Sequence, residues 1–171
     1  IGKRRKFKKF ISEFVPDSIS GPMINLDSGL VYENHFHSGL ASYTLGQKVA
    51  IGGVRNKLYV GKKDLDRNAL LVVDRLDHPS LWSDKIYIKN CEKLTNSIKD
   101  YSCLYCSIRS VDKRGSKVRK IEKLPDRILV ELEDRVFAPC EGQWAVFYAE
   151  DSHASTNDMG RICIGGSEII S

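Results

Sequence analysis

Pairs of cysteine residues are the first candidates for chemistry in this sequence. Cys103-Leu-Tyr-Cys106 has the CxxC spacing of zinc sites and of dithiol redox centres. A structural zinc site needs a second pair of ligands, and the sequence has none at a suitable spacing. A thioredoxin-like centre would lie at a strand-to-helix junction, whereas residues 102–109 have the pattern of a strand. We therefore interpret both thiols as buried strand cysteines, with a redox or zinc module as an alternative.

Two other pairs of polar residues could act together. His35 and His37 would place two imidazoles on one face of a strand, but a third metal ligand is not evident, so hydrogen-bonding roles are favoured. Asp64 and Asp66 are typical of a turn rather than of an acid and base pair. The sequence contains no Walker A, HExxH, GxSxG or GxGxxG motif. These residues predict a binding module without its own active site and without a metal.

The placement of positive charge indicates a polyanionic partner. The chain has 27 Lys and Arg against 22 Asp and Glu, and residues 1–10 alone contain six cations and no anion. A second excess lies in residues 109–123, with seven cations and two anions. Residues 46–53, GQKVAIGG, form a glycine-rich loop of the kind that brings backbone amides close to phosphate. Two basic patches on a near-neutral body favour nucleic acid, although solvated surface lysines would look the same.

The elements that must position these residues are mostly strands. Phe7, Phe10, Ile11 and Phe14 follow the helical i, i+3, i+4, i+7 spacing, so we predict a basic amphipathic helix that ends at Pro16. Beyond it, short apolar runs alternate with turn residues, which predicts a small antiparallel barrel or sandwich. The predicted strands lie in a hairpin over 23–33, at 57–64 and 68–73, then, beyond a seam at 74–84, at 85–88, 102–109, 127–132, 143–149 and 162–170.

Several segments, taken in order, resemble one enzyme family. Ser42-Tyr43-Thr44-Leu45-Gly46-Gln47-Lys48 resembles the YTxGQ(R/K) signature of the tRNA 2-thiouridylases, which replace the 2-oxygen of a wobble uridine with sulfur. The other matching segments are His37-Ser38-Gly39, Ile51-Gly52-Gly53, Leu58-Tyr59-Val60 with Lys63-Asp64, His78-Pro79-Ser80-Leu81, Gly142-Gln143-Trp144-Ala145-Val146-Phe147-Tyr148 and Cys163-Ile164-Gly165-Gly166. Order and spacing agree over nearly the whole chain.

The resemblance implies a fold class and a division of the chain. It implies a mainly β protein, with a central tRNA-binding domain over 1–75 and a translation-factor-like antiparallel β-barrel over 76–171. Ile1-Gly2 resembles the end of the family's C-F-I-G motif, which contains the second catalytic cysteine. We therefore expect the ATP pyrophosphatase domain and both catalytic cysteines to be absent from this chain. No residue present is expected to be catalytic, and no cofactor is expected to bind it.

The resemblance also implies a reaction and its partners. In the family, ATP adenylates the uridine 2-oxygen, a cysteine persulfide delivers sulfur, and a disulfide forms between the catalytic cysteines. The implied partners are the anticodon arm of tRNA and a persulfide sulfur donor, without a membrane. Only Lys48-Val49-Ala50 separate the GQ and IGG segments, which resembles the mitochondrial branch of the family. We expect a mitochondrial protein, or a cytoplasmic one if the chain is bacterial.

The expected contacts with tRNA are spread over both predicted domains. Gln47 and Lys48 lie in the signature loop, and Gln143 matches a glutamine that contacts tRNA in the family. Arg109 stands near a position where the family has an aromatic-basic pair; Val111 and Asp112 occupy that position here. The cations expected to contact phosphate are Lys3, Arg4, Arg5, Lys6, Lys8, Lys9, Lys113, Arg114 and Lys117. The alternative is a non-enzymatic, translation-factor-like RNA-binding barrel with a basic arm.

Overall fold

The chain divides into two compact units, at a boundary that differs from the expected one. The computed structural model describes residues 19–98, 101, 103–108, 115–150 and 160–170. The first unit ends at Leu81 and the second begins at Trp82, whereas the sequence predicted a boundary between residues 75 and 76. The reason is local packing, because His78 and Leu81 are both buried within the first unit. The predicted amphipathic helix lies outside the described residues.

The first unit contains a five-stranded sheet in the order β2-β1-β5-β4-β3. Neighbouring strands are antiparallel except for β1 and β5, which are parallel. Its strands are β1 (Gly21–Asn25), β2 (Val31–His37), β3 (Lys48–Val49), β4 (Leu58–Asp64) and β5 (Ala69–Val73). A short 3-10 helix, Leu40–Ser42, lies between β2 and β3, and a second one, Pro79–Leu81, ends the unit.

Turn chemistry explains both hairpins of this sheet. The side-chain oxygen of Asn25 accepts hydrogen bonds from the backbone N–H groups of Asp27 and Ser28, at 3.0 and 2.9 Å. Gly29 follows with a φ of 70°, a conformation that glycine adopts without strain. In the second hairpin the Asp64 carboxylate accepts a hydrogen bond from the backbone N–H of Arg67 at 3.0 Å. Both predicted hairpins are confirmed.

The second unit is a closed antiparallel barrel in the order β10-β11-β6-β9-β8-β7, with β7 paired to β10. Its strands are β6 (Trp82–Lys89), β7 (Leu104–Ser107), β8 (Ser116–Lys123), β9 (Arg127–Phe137), β10 (Trp144–Glu150) and β11 (Arg161–Ile170). A mainly β fold with a barrel is therefore confirmed. Closure satisfies the backbone groups that an open sheet would leave at its edges.

Alternation along β10 shows how the barrel separates its interior from its surface. Ala145, Phe147 and Ala149 are fully buried, whereas Trp144 is 59% exposed. Side chains of successive strand residues point to opposite faces of a sheet, so the first set fills the barrel and the second faces outward. The predicted strand over 143–149 is confirmed in type and position.

Two elements of the barrel were missed by the sequence patterns. The helix α1 (Glu92–Ile98) lies between the strands predicted at 85–88 and 102–109, where no helix was predicted. It has only seven residues and two apolar positions, Leu94 and Ile98, too few for a periodic signal. The strand β8 was hidden because Lys and Arg dominate it, leaving Val118 and Ile121 as its apolar residues. Leu94 is buried and packs against the barrel core.

An ion pair on the barrel surface predicts a dependence of stability on pH. The ammonium nitrogen of Lys85 lies 2.9 Å from Glu131 Oε1, which joins β6 to β9. The hydrogen bond between the two side chains lowers the pKa of Glu131 and raises the pKa of Lys85. A carboxylate with a lowered pKa stabilises the fold above its unfolded pKa, and this contribution is lost as pH falls through the folded value.

We predict that Glu131→Gln destabilises the protein near neutral pH and has a vanishing effect in acid. The difference in urea midpoint between wild type and Glu131→Gln should therefore shrink as the pH falls below the ordinary pKa of a glutamate and through the lowered folded value, where the wild-type carboxylate protonates. Glu133→Gln on the same strand is the control, because Glu133 is exposed and forms no ion pair within 4.0 Å among the described residues. A difference that stays constant with pH would contradict the assigned role of the ion pair.

No helix among the described residues is both long and apolar enough to cross a membrane.

Candidate nucleic-acid interface

The signature loop, residues 37–53, begins at a buried histidine. This residue is His37. Its Nδ1 accepts a hydrogen bond from the backbone N–H of Gly39 at 3.1 Å, and its Nε2 lies 2.9 Å from the backbone oxygen of Asn68. Because Nδ1 accepts, the proton of the neutral ring is on Nε2, which donates to Asn68. The ring of Tyr43 packs edge-on against His37, with the centroids 6.2 Å apart. His37 therefore fixes the loop to the β4–β5 turn.

A Gly-Gln turn fixes the far side of the loop. Gly46, with a φ of 73°, donates its N–H to Val60 O at 2.8 Å, and Val60 N–H donates to Gln47 O at 2.9 Å. The backbone N–H of Gln47 donates to Thr44 O at 3.0 Å. The side-chain oxygen of Gln47 accepts from the backbone N–H of Thr44 at 3.1 Å. The amide of Gly46 is therefore committed to the fold and cannot cradle a phosphate.

The same turn recurs in the barrel. Gly142, with a φ of 81°, donates its N–H to Ile169 O at 3.0 Å, and Ile169 N–H donates to Gln143 O at 2.7 Å. The N–H of Gln143 donates to Cys140 O at 3.1 Å, and its side-chain oxygen accepts from the N–H of Cys140 at 2.9 Å. Each of the four hydrogen bonds thus has a counterpart in the Gly46-Gln47 turn.

Each turn ends with an outward-facing side chain at the start of a strand. Lys48 opens β3 and is exposed, and Trp144 opens β10 and is likewise exposed. In both glutamines the side-chain oxygen is held by the turn, whereas the amide nitrogen makes no hydrogen bond within the described part of the chain. Both turns therefore present an amide donor beside an exposed side chain, a cation in one unit and an indole in the other.

Aromatic and cationic side chains continue outward from Trp144 over the barrel surface. Tyr148 follows on β10 and is paired with Tyr105 of β7, which is paired in turn with Lys117 of β8. Residues directly opposite each other in a sheet share a face. The guanidinium carbon of Arg161 lies 3.2 Å from the centroid of the Tyr105 ring. We name Trp144, Tyr148, Tyr105, Arg161 and Lys117 the aromatic strip.

Hydrogen bonds hold the phenol of Tyr105 in this strip. A hydrogen bond with the Cys103 thiol, a second one to Glu150 and partial burial raise the pKa of Tyr105 to about 12. The phenol is therefore neutral at physiological pH and donates to Glu150 Oε1 at 2.8 Å. With its hydroxyl tied down on one side and Arg161 over its ring, Tyr105 has little rotational freedom.

His78 is a buried polar residue whose role the sequence did not reveal. Its Nε2 lies 2.9 Å from Asp27 Oδ1, and its Nδ1 lies 2.8 Å from Ser80 Oγ and accepts from the N–H of Ser80 at 3.2 Å. The imidazole joins the β1–β2 turn to the end of the first unit. The sequence signal was only the HPSL resemblance, because Asp27 is remote from it along the chain.

The predicted tRNA contacts are partly described by the structure. Gln47 and Gln143 are half-buried at their turns. Lys48 on β3 and Lys117 on β8 are exposed. Sequence reasoning missed the other members of the aromatic strip, although a Trp next to a predicted contact was a visible signal. The remaining predicted contacts lie outside the described residues: Lys3, Arg4, Arg5, Lys6, Lys8, Lys9, Arg109, Lys113 and Arg114.

The cysteines and the other histidine take structural positions. Cys106 is buried within β7, as predicted, whereas Cys103 is half-buried and lies just before the strand, so the prediction of a buried strand cysteine is wrong for Cys103. His35 Nδ1 lies 2.8 Å from Glu33 O, so the two histidines of β2 have separate partners. Across the residues that the structure describes, no three His, Cys, Asp or Glu side chains are grouped so as to hold a metal ion.

Comparison with known proteins gives one consistent group of relatives. Residues 8–74 match the family described as the tRNA methyl transferase PRC-barrel domain. The whole chain is 29% identical to the mitochondrial tRNA-specific 2-thiouridylase 1 of Drosophila melanogaster, over 42% of that protein. It is 30% identical to the tRNA-specific 2-thiouridylase MnmA of Psychromonas ingrahamii and 31% to that of Yersinia pestis. These two alignments cover 96% of the chain and 43% and 42% of the relatives.

These matches agree with one another, because residues 8–74 match a tRNA-related family and the named relatives are all tRNA-modifying enzymes. More narrowly, nearly the whole chain is similar to tRNA-specific 2-thiouridylases, the family that the order of its motifs resembles. The chain spans somewhat less than half the length of the curated relatives that it matches.

Proposed function

We propose that this chain is the tRNA-binding portion of a tRNA 2-thiouridylase and positions tRNA for thiolation of a wobble uridine. The observation that carries the proposal is the repeated Gly-Gln turn. In each unit the turn presents a glutamine amide donor beside an exposed side chain that suits RNA, Lys48 for phosphate and Trp144 for a base. Every relative named above is a tRNA-specific 2-thiouridylase, which supports the same assignment.

In this proposal the residues of this chain do not carry out the chemistry of thiolation. In the proposed reaction ATP activates the uridine 2-oxygen and a cysteine persulfide from a sulfur donor supplies the sulfur. None of the five cysteines of this chain forms a disulfide, and none is proposed as catalytic. The proposed role of this chain is to hold the anticodon arm, because a target base must leave its stack to reach an enclosed site.

A mitochondrial location is proposed for the protein. The support is the short run between the GQ and IGG segments and the relative from Drosophila melanogaster, whose name is that of a mitochondrial enzyme. The bacterial relatives make the cytoplasm the alternative.

Salt dependence of tRNA binding tests the proposed function. Replacement of Lys3, Arg4, Arg5 and Lys6 by Ser removes four of the six cations near the start of the chain. Each phosphate contact contributes about 0.7 to 0.9 to the slope of log K against log salt, so the slope should flatten by up to about 3. Fluorescence anisotropy with labelled tRNA at several salt concentrations measures this slope.

A variant with the same loss of charge elsewhere controls for net charge. Lys57, Lys62, Arg67 and Arg75 are exposed and are not predicted contacts, so their replacement by Ser should flatten the slope by less than about 1. Equal flattening in both variants would show a general field effect and would contradict a specific role for the basic segment. A wild-type protein that does not bind tRNA would contradict the proposed function itself.

A further inference from the structure

Trp144 is placed unlike the other tryptophan of the chain. Trp82 packs edge-on against Phe137, with the ring centroids 5.2 Å apart, and is 37% exposed. Trp144 is 59% exposed, and no aromatic ring among the described residues stacks on it. An indole that contributes little to the core and leaves most of its surface in water is typical of a binding surface.

The barrel supports the indole from beneath. Trp144 begins β10 directly after the Gly142-Gln143 turn, which fixes its backbone through hydrogen bonds to β11. Its Cε3 atom lies 3.5 Å from the place that a β-carbon on residue 166 would occupy. That β-carbon would also lie 2.8 Å from Ala145 O, so residue 166 must be glycine. The indole therefore packs at van der Waals distance over the backbone at Gly166, where no side chain can stand.

The surroundings suit a base attached to a phosphate backbone. Glu168, directly opposite Trp144, is neutralised by an ion pair with Lys89. Further along β10 stands Tyr148, about 13 Å from Trp144 at roughly 3.3 Å per strand residue. The guanidinium of Arg161 lies over the ring of Tyr105, the neighbour of Tyr148. The carboxylate of Glu150 accepts a hydrogen bond from the Tyr105 hydroxyl.

We propose that the aromatic strip is a stacking surface for unpaired nucleobases of RNA, with the indole of Trp144 as its principal contact. The inference deepens the proposed function and rests on it. Every base has a π-face, so stacking on an indole tolerates sequence, and the cations of the strip add backbone contacts. The Nε2 donor of Gln143, next to Trp144, is placed to bond an acceptor on the stacked nucleotide.

Fluorescence of Trp144 reports directly on stacking. Because the chain has two tryptophans, Trp82→Phe leaves Trp144 as the sole indole. An unmodified anticodon stem-loop RNA should quench its emission as binding saturates. Inorganic polyphosphate, which has charge but no bases, should leave the emission unchanged. Equal quenching by polyphosphate would overturn the proposal, because the emission would then report charge rather than stacking.

Affinity gives a second and independent readout. Loss of one base stack raises the dissociation constant about 5- to 150-fold. We expect an increase of this size for Trp144→Leu. Trp144→Phe should retain most of the affinity, and Trp82→Leu is the matched control with no expected change. The slope of log K against log salt should be the same in Trp144→Leu and wild type, because an indole neutralises no phosphate.

The outcomes separate this inference from the proposed function. If wild type binds the stem-loop, Trp144→Leu binds it equally well and Trp144 emission does not change, the stacking surface is overturned and the tRNA-binding role stands. If wild type does not bind the stem-loop, both are overturned. Should Trp144→Leu fail to fold, the quenching measurement on Trp82→Phe decides the question alone.

Discussion

Replacing Phe147 by Ala is expected to lower the free energy of unfolding of the barrel by about 3–5 kcal/mol. Phe147 is fully buried and is the largest of the fully buried side chains. It lies directly opposite Cys106 of β7 and Gly165 of β11, in the same core cluster as Val130 and Leu132. Truncation removes the favourable transfer of the ring from water and leaves a cavity that a closed barrel cannot collapse to fill.

The expected loss is a large fraction of the total stability of a domain, which is typically about 5–15 kcal/mol. For a unit of this size the melting temperature should fall by about 12 °C or more, which calorimetry measures. Ile162→Ala is the control, because Ile162 is 39% exposed and its truncation should cost about 0.5 kcal/mol or less. Equal shifts for the two variants would contradict the placement of Phe147 inside the barrel.

The sequence predicted well wherever the signal was local. The β1–β2 and β4–β5 hairpins followed from an Asp, Asn, Ser or Gly turn between two apolar runs. The apolar run QWAVFYA predicted the strand β10. In each case one short segment carries both the strand pattern and the turn that ends it, so no remote partner has to be known.

Pairings between remote segments could not be predicted in this way. The parallel pairing of β1 with β5 and the hydrogen bond of His78 with Asp27 join residues that are far apart in sequence. The strand β8 shows the same limit, because its cations have no strand period of their own and pairing with β9 makes it a strand. Tertiary context overrides weak local preference at such positions.

The candidate site was predicted in part. Gln47, Lys48 and Gln143 were expected from resemblance, and the structure adds the reason that both glutamines are rigid. The likeness of the Gly46-Gln47 and Gly142-Gln143 turns was not evident from sequence, because the groups that complete them, on Val60 and Ile169, are remote. The aromatic strip was missed because Tyr105, Tyr148 and Arg161 come together only through strand register.

Preference for one arm of tRNA is the second large effect that we expect. The proposed function requires the chain to hold the anticodon arm, in which bases are unpaired and can stack on Trp144. The acceptor helix offers phosphates but few unstacked bases. One stacked base is worth about 1–3 kcal/mol, and 1.4 kcal/mol is a factor of ten in affinity, so the preference should be about tenfold or more.

The preference should persist at high salt, because phosphate contacts weaken with ionic strength by a similar factor on both arms whereas stacking does not weaken. The most direct test is a titration of this chain with an unmodified anticodon stem-loop and with an acceptor-stem hairpin of equal length, each at two salt concentrations. We predict tighter binding to the anticodon stem-loop at both concentrations. Equal affinities, or tighter binding to the acceptor hairpin, would contradict the claim that this chain positions the wobble base.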